Sequence, residues 1–217
     1  MKRFHVEICM MKKLFLVLFT FSLCAAFSQN NGAAENILDK SSAKIKSAKG
    51  INVSFSLTQK DKQNQVVSNS KGSMKMKGDK YYINQDGSEI YCNGLQIWNF
   101  DGRDEVTVAK VDKDDNEFSP PQILTGFNKK DFNIRLVSSA GNNYKVLLTP
   151  LDKRQNFKEI ALYINKSTSL ISKASVVSKM NDTIEINFNS IALNASFDDS
   201  QFVFDAKKHP GIDIINN

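Results

Sequence analysis

Residues Lys71 to Phe100, KGSMKMKGDKYYINQDGSEIYCNGLQIWNF, read as four short strands with a turn signal at each joint. Gly78-Asp79, Asp86-Gly87 and Asn93-Gly94 supply residues that tolerate positive φ, and the runs between them are rich in Met, Tyr, Ile and Trp. This is the pattern of an antiparallel meander. Because side chains alternate along a strand, Gly72, Met74 and Met76 share one face of the first strand and Ser73, Lys75 and Lys77 the other. Such an apolar face either packs on an ordinary core or holds a flexible lipid, around which unbranched Met side chains readily re-pack.

The same alternation extends in both directions. Upstream, Ile51, Val53, Phe55 and Leu57 alternate with Asn, Ser, Ser and Thr in INVSFSLTQ, which predicts a strand over 51–59. Before it, AAENILDKSSAKIKSAK (33–49) places Ile37, Leu38, Ser41, Ile45 and Ala48 near one side of a 3.6-residue period, an amphipathic helix that Gly50 would end with a left-handed cap. Lys60 to Asn69 reads as a polar linker. Downstream, strands are predicted at 105–111, 132–139, 144–149, 157–165, 170–179 and 183–193, with Phe202-Val203-Phe204 and the tail as a last strand or edge.

One interior stretch breaks the pattern. In SPPQILTGFNKK (119–130) Ser119 suits a helix N-cap, Pro120 and Pro121 suit the first turn, and Ile123, Leu124 and Phe127 form a small apolar face. A short helix or lid is predicted there. The acidic run before it, DKDDNE at 112–117, lacks the Gly and the Glu that a calcium loop counted from Asp112 would need, and reads as a solvated loop. About eleven antiparallel strands with one N-terminal helix and one helical insert must roll up, so the fold class is mainly β, an incomplete antiparallel barrel.

The N-terminus carries an address. Lys12-Lys13 followed by LFLVLFTFSLCAAF (14–27) has the charged and apolar regions of a secretory signal, with cleavage expected after Ser28 and a single domain over 29–217. Translation could begin at Met1, Met10 or Met11. Cys24 follows Leu23 where a lipoprotein signal wants a small residue, so an exported soluble form is expected. Four of the 29 basic residues and one of the 23 acidic ones fall in that segment, which leaves the remainder near neutrality and without the basic stripe of a nucleic-acid binder. Beyond it stand one Cys, Cys92, and one His, His209, too few for a disulfide or a usual zinc site. No Gly-x-Ser-x-Gly elbow, His-Glu-x-x-His or phosphate loop is present, so no cofactor is called for and an enzyme is the lesser reading, with two-carboxylate hydrolysis left open.

The order of these parts resembles a known family. The helix, the strand VSFSLTQ (53–59), Gly-x-Met-x-Met-Lys (72–77), Ile-x-x-Asn-Gly-x-x-Ile-Trp-x-Phe-Asp (90–101), the Pro-led insert and Phe-x-Phe before Pro-Gly-Ile-Asp-Ile look like the periplasmic lipoprotein carriers, the LolA family. That resemblance implies a half-barrel whose interior takes the acyl chains of lipoproteins, receives them from an inner-membrane exporter and passes them to an outer-membrane acceptor, acting as a periplasmic monomer. The Arg-Pro pair of the best-known carriers is replaced here by Gly78-Asp79 after Lys77, so the Arg's role is not carried over. The expected acyl-chain wall is Val53, Phe55, Leu57, Met74, Met76, Tyr82, Ile90, Cys92 and Trp98, under a lid of Ile123, Leu124 and Phe127. A lipid- or lipoprotein-sensing domain of the same fold is the alternative.

Overall fold

The structure is a computed structural model that describes residues 31–112 and 119–216. Both the signal-like segment and most of the acidic run, residues 113–118, lie outside the described residues. Twelve strands form one sheet: β1 (Ile51–Lys60), β2 (Val66–Lys77), β3 (Lys80–Gln85), β4 (Ser88–Cys92), β5 (Gln96–Phe100), β6 (Glu105–Lys110), β7 (Phe132–Ser138), β8 (Asn143–Pro150), β9 (Phe157–Asn165), β10 (Ile171–Ser178), β11 (Thr183–Leu193) and β12 (Asp213–Asn216). Their order across the sheet is β12-β6-β5-β4-β3-β2-β1-β11-β10-β9-β8-β7, so β7 and β12 are edges and the barrel stays open.

The hairpins follow the turn chemistry. At β3–β4 the two loop residues, Asp86 and Gly87, both take positive φ (51° and 95°), the geometry whose twist matches that of the flanking strands. Gly50 acts differently from the expected left-handed cap: it is not among the positive-φ glycines, and a Cβ there would lie 2.4 Å from the Ala195 carbonyl oxygen. Its lack of a side chain allows close approach of two chain segments, where Ala195 N–H donates to Gly50 O. Val66 to Asn69, expected in a linker, belongs to β2, and the strand predicted at Phe202–Phe204 does not form: Phe202 ends a 3₁₀ turn over Asp199–Phe202, and Val203 and Phe204 follow it in irregular chain. The last strand is β12, parallel to β6.

A helix over residues 31–46, α1, and a second, α2 (Pro120–Thr125), cover one face of the sheet. Ala34, Ser41 and Ile45 of α1 are fully buried, and Ile37, Leu38 and Ala48 pack beside them, as the helical period predicts. Beneath lie Val53, Phe55, Met74, Ile134, Leu148, Leu162 and Ile186 in one continuous core. Phe55 crosses Gly72, where an added Cβ would meet the ring at 2.4 Å, so the glycine makes room for the ring to lie on the neighbouring strand. On the outer face the same strands are polar: Ser54 and Ser190 hydroxyls bond at 2.7 Å, and Glu185 bridges Lys60 (3.2 Å) and Lys173 (3.0 Å). Among the described residues no helix is long and apolar enough to cross a membrane.

Candidate functional site

The helical face is not filled throughout. Over β1 to β5 it leaves a groove of about 740 Å³ between the sheet and the two helices. Ile51, Met76, Tyr81, Cys92 and Ile97 make its floor, Ile45 of α1, Ala48 just after it and Pro121 of α2 its sides, and Lys46, Asp79 and Asp112 its polar rim. The volume is in the range of small-molecule and lipid sites, and the mix of apolar walls with a few polar groups is what such sites need. Burial pushes the Cys92 thiol above its usual pKa, so it behaves as a small apolar group in the wall.

Register explains which expected residues reach this face. Antiparallel pairing gives the row Met76, Tyr81, Cys92, Ile97 and the row Val53, Met74, Ile83, Ile90 on the helical side. Met76 and Cys92 line the groove, while Val53, Phe55 and Met74 are buried in the packed core behind it, with Leu57 and Ile90 partly buried against that core. Tyr82 and Trp98 belong to a third row, Lys75, Tyr82, Tyr91, Trp98 and Val108, on the outer face. Their placement on the cavity side is therefore corrected. A two-residue turn pairs positions whose numbers sum to an odd value, so even-numbered Met76 dictates Tyr81, and the longer turn after Cys92 dictates Ile97. The turn lengths carried this signal; apolar character alone did not distinguish Tyr81 from Tyr82 or Ile97 from Trp98.

The insert closes the groove at one side. Ser119 caps α2, its hydroxyl accepting from Gln122 N–H, and Ile123 and Leu124 are fully buried against the sheet. Phe127 is half-buried, edge-on to Phe132 at 5.6 Å. Polar contacts bind the segment to α1: Ser42 Oγ donates to the Thr125 carbonyl, and Lys129 lies 2.8 Å from Asp39 and 3.7 Å from Glu35. Beyond α2 a second cavity of about 320 Å³ runs between α1 and β7 to β10. Ser41 Oγ, in its wall, is buried without a hydrogen-bond partner.

The outer face of β3 to β6 carries a smaller assembly. Phe100, Val106 and Phe204 form its centre, with Tyr91, Trp98 and Ile212 packed around them. His209 stacks on Phe204 (4.9 Å) and lies tilted against Phe100 (4.6 Å). Glu89 accepts from Tyr82 Oη and Tyr91 Oη at 2.6 Å each and from Asn84 Nδ2 at 3.1 Å. Burial works to raise the Glu89 carboxyl, but these donors outweigh it and hold it below its usual range. Burial first, and the Glu89 carboxylate second, push Tyr82 up to about 12 and raise Tyr91 too. Lys77 and Lys80 pair with Asp199 and Lys75 donates to Gln201, fastening the C-terminal segment over this cluster.

Comparison with known proteins follows the same outline. The family model described as outer membrane lipoprotein carrier protein LolA matches residues 46–205. The chain is 26% identical over 208 residues to an outer-membrane lipoprotein carrier protein of Francisella tularensis subsp. tularensis (strain WY96-3418), covering 93% of this chain and 97% of that one. To the outer-membrane lipoprotein carrier protein of Idiomarina loihiensis it is 24% identical over 199 residues, 89% and 96% of the two chains. An uncharacterized conserved protein from Thermus thermophilus superposes with a TM-score of 0.57 at 9% identity, over 85% of this chain and 99% of that structure, a likeness of fold.

Proposed function

Because this chain belongs to the outer-membrane lipoprotein carrier family, LolA, we propose that it is an exported, non-enzymatic carrier that holds lipoprotein acyl chains in the groove of its helical face and shuttles them from the inner to the outer membrane. The observation that carries this reading is the 740 Å³ groove floored by Ile51, Met76, Tyr81, Cys92 and Ile97. Each buried methylene is worth about 0.8 kcal/mol, so an acyl chain of roughly sixteen carbons resists water by about 12 kcal/mol and needs such a container. In the neighbouring second cavity, the unpartnered Ser41 hydroxyl offers a donor for an ester carbonyl, a use for a buried polar group that is otherwise unsatisfied. Export by the segment 1–28, with cleavage after Ser28, supplies the periplasmic location.

The insert acts in this reading as a lid. Ile123 and Leu124 dock on the sheet when the groove is empty, and Gly126, with φ 103°, gives the backbone after them its freedom. Depleting the protein is expected to strand lipoproteins in the inner membrane, read by fractionating the two membranes. An unchanged distribution in a cell without a second carrier would refute transport. Tethering Phe127→Cys to a cysteine placed on the opposite rim should block acyl-probe uptake when oxidised and restore it when reduced; equal uptake would make the segment a fixed plug.

A further inference from the structure

Three successive connections at one end of the sheet present exposed apolar side chains that neither the groove nor the lid uses. Lys60 of β1 pairs with Val66 of β2 on one side and Thr183 of β11 on the other, so the β1–β2 and β10–β11 connections emerge side by side. The β8–β9 connection joins them: Lys179 N–H donates to the Asn156 carbonyl, and Lys158 Nζ to Asn181 Oδ1. On these three tips Val66 and Val67 are 54% and 62% exposed, Met180 78% and Leu151 62%. The row runs from β2 to β8, roughly 24 Å at the usual strand spacing.

Cations outnumber acids at the tips: Lys62, Lys153, Arg154 and Lys179 stand against Asp61, Asp152 and Asp182. Lys62, Lys153 and Lys179 are exposed and make no ion pair among the described residues. Of the acids in the same loops, Asp61 is turned into its own loop, accepting from Gln63 and Gln65 N–H at 2.9 and 2.8 Å, and Asp152 is held by Arg154 at 2.7 Å, which leaves the exposed Asp182 against three lysines. Separate apolar tips with free lysines between them differ from a protein interface, which gathers its apolar groups into one patch with a polar rim. They match what an interfacial lipid site needs: side chains to enter the headgroup layer and cations to meet acidic headgroups.

We propose that this strand-end rim docks the protein on an anionic bilayer surface, with Met180, Leu151 and Val66-Val67 entering the headgroup layer. The inference rests on the rim alone and holds whatever the groove carries. A recess of about 230 Å³ between Phe127, Phe132 and Phe157 opens beside Leu151, so docking would bring that opening to the lipid surface.

The test uses the chain recovered from the exported fraction of cells, carrying an environment-sensitive fluorophore on Met180→Cys or, as control, on Leu95→Cys, since Leu95 is 76% exposed on the β4–β5 connection at the other end. Vesicles of phosphatidylglycerol and phosphatidylcholine should blue-shift the label at 180 and leave that at 95 unmoved. Lys62→Glu, Lys153→Glu and Lys179→Glu together should weaken vesicle binding by about tenfold or more. Met180→Asp with Leu151→Asp should weaken it comparably, and added salt should weaken it in the parent protein. Each substituted side chain is exposed, so folding, followed by circular dichroism, should be retained. An unresponsive label at 180, equal binding to purely zwitterionic vesicles, or unchanged binding by the charge-reversed variant would overturn the proposal.

Discussion

The two faces of the β3 to β5 meander are both apolar in part, yet they are covered in different ways. On the helical face Met76, Tyr81, Cys92 and Ile97 meet helices that stand off and leave a groove. On the outer face Tyr91, Trp98 and Phe100 meet Phe204, His209 and Ile212 in direct contact, and charged groups lock the cover down. The lesson is that an apolar strand face does not itself define a binding site. What defines it is whether the covering segment can fill the space. A helix one diameter across cannot follow the floor of a wide curling sheet, whereas an irregular chain with aromatic side chains can.

Truncation separates the faces most strongly. Phe55→Ala removes a fully buried ring from the continuous core and should cost about 4 kcal/mol of global stability, measured by denaturant unfolding. Phe204→Ala should act locally: hydrogen exchange should speed up over residues 198–212 while the centre of β1 and β11 keeps its protection. Equal loss of protection in both regions would mean that the outer cluster is part of the same cooperative unit.

A polar change discriminates function in the same way. Ile97→Asp places a carboxylate in the groove floor and should lower acyl-probe uptake by about tenfold or more, since a buried unpaired charge excludes an apolar guest. Tyr82→Phe, on the other side of the sheet, should leave uptake unchanged. Loss of uptake in the second variant would put the binding surface on the wrong face of this account.

Acid and alkali should both loosen the outer cover. Glu89 has a lowered folded pKa, so its contribution is present above the usual carboxylate range and is lost as pH falls through the lowered value. Tyr82 is raised to about 12, so the neutral phenol's contribution is complete below about 10 and disappears as pH climbs through about 12. Melting curves from about pH 9 upward should show the loss, and Tyr82→Phe should shrink it, Tyr91 supplying the remainder. The smallest effect is expected at the helical insert: Ser119→Ala removes the α2 cap and should cost about 1 kcal/mol, seen as faster exchange at Gln122 N–H.

Most of the sheet was legible because its strands alternate cleanly and their turns use residues with positive φ. β9 and β11 have the bounds read from sequence, and Val53 and Phe55 are inside with Asn52 outside. What was not legible depends on partners remote in sequence. Val66 to Asn69 lacks an alternating apolar face because no helix covers that part of β2, so it reads as linker. The tail was expected to give a last strand or edge and does so as β12, but Ile214 and Ile215 are adjacent apolar residues without alternation, so its parallel pairing with Val106 and Thr107 was not legible. Tyr82 and Trp98 were misplaced because the outer face also has a cover, made of a C-terminal segment whose docking leaves no period in the sequence.

The pairing of β1 with β11 also sets an order of events. Ile51 meets Leu193 and Lys60 meets Thr183, so the centre of the sheet joins the first long strand made to the last. The β2–β5 hairpins can form from local contacts as soon as they emerge, but the two halves cannot be sewn together until Leu193 is available. Such non-local closure makes folding slow, because loop entropy must be lost before the pairing is gained. A chain delivered through a pore from its N-terminus would therefore remain threadable until nearly all of it had passed, and would seal its core only on the far side.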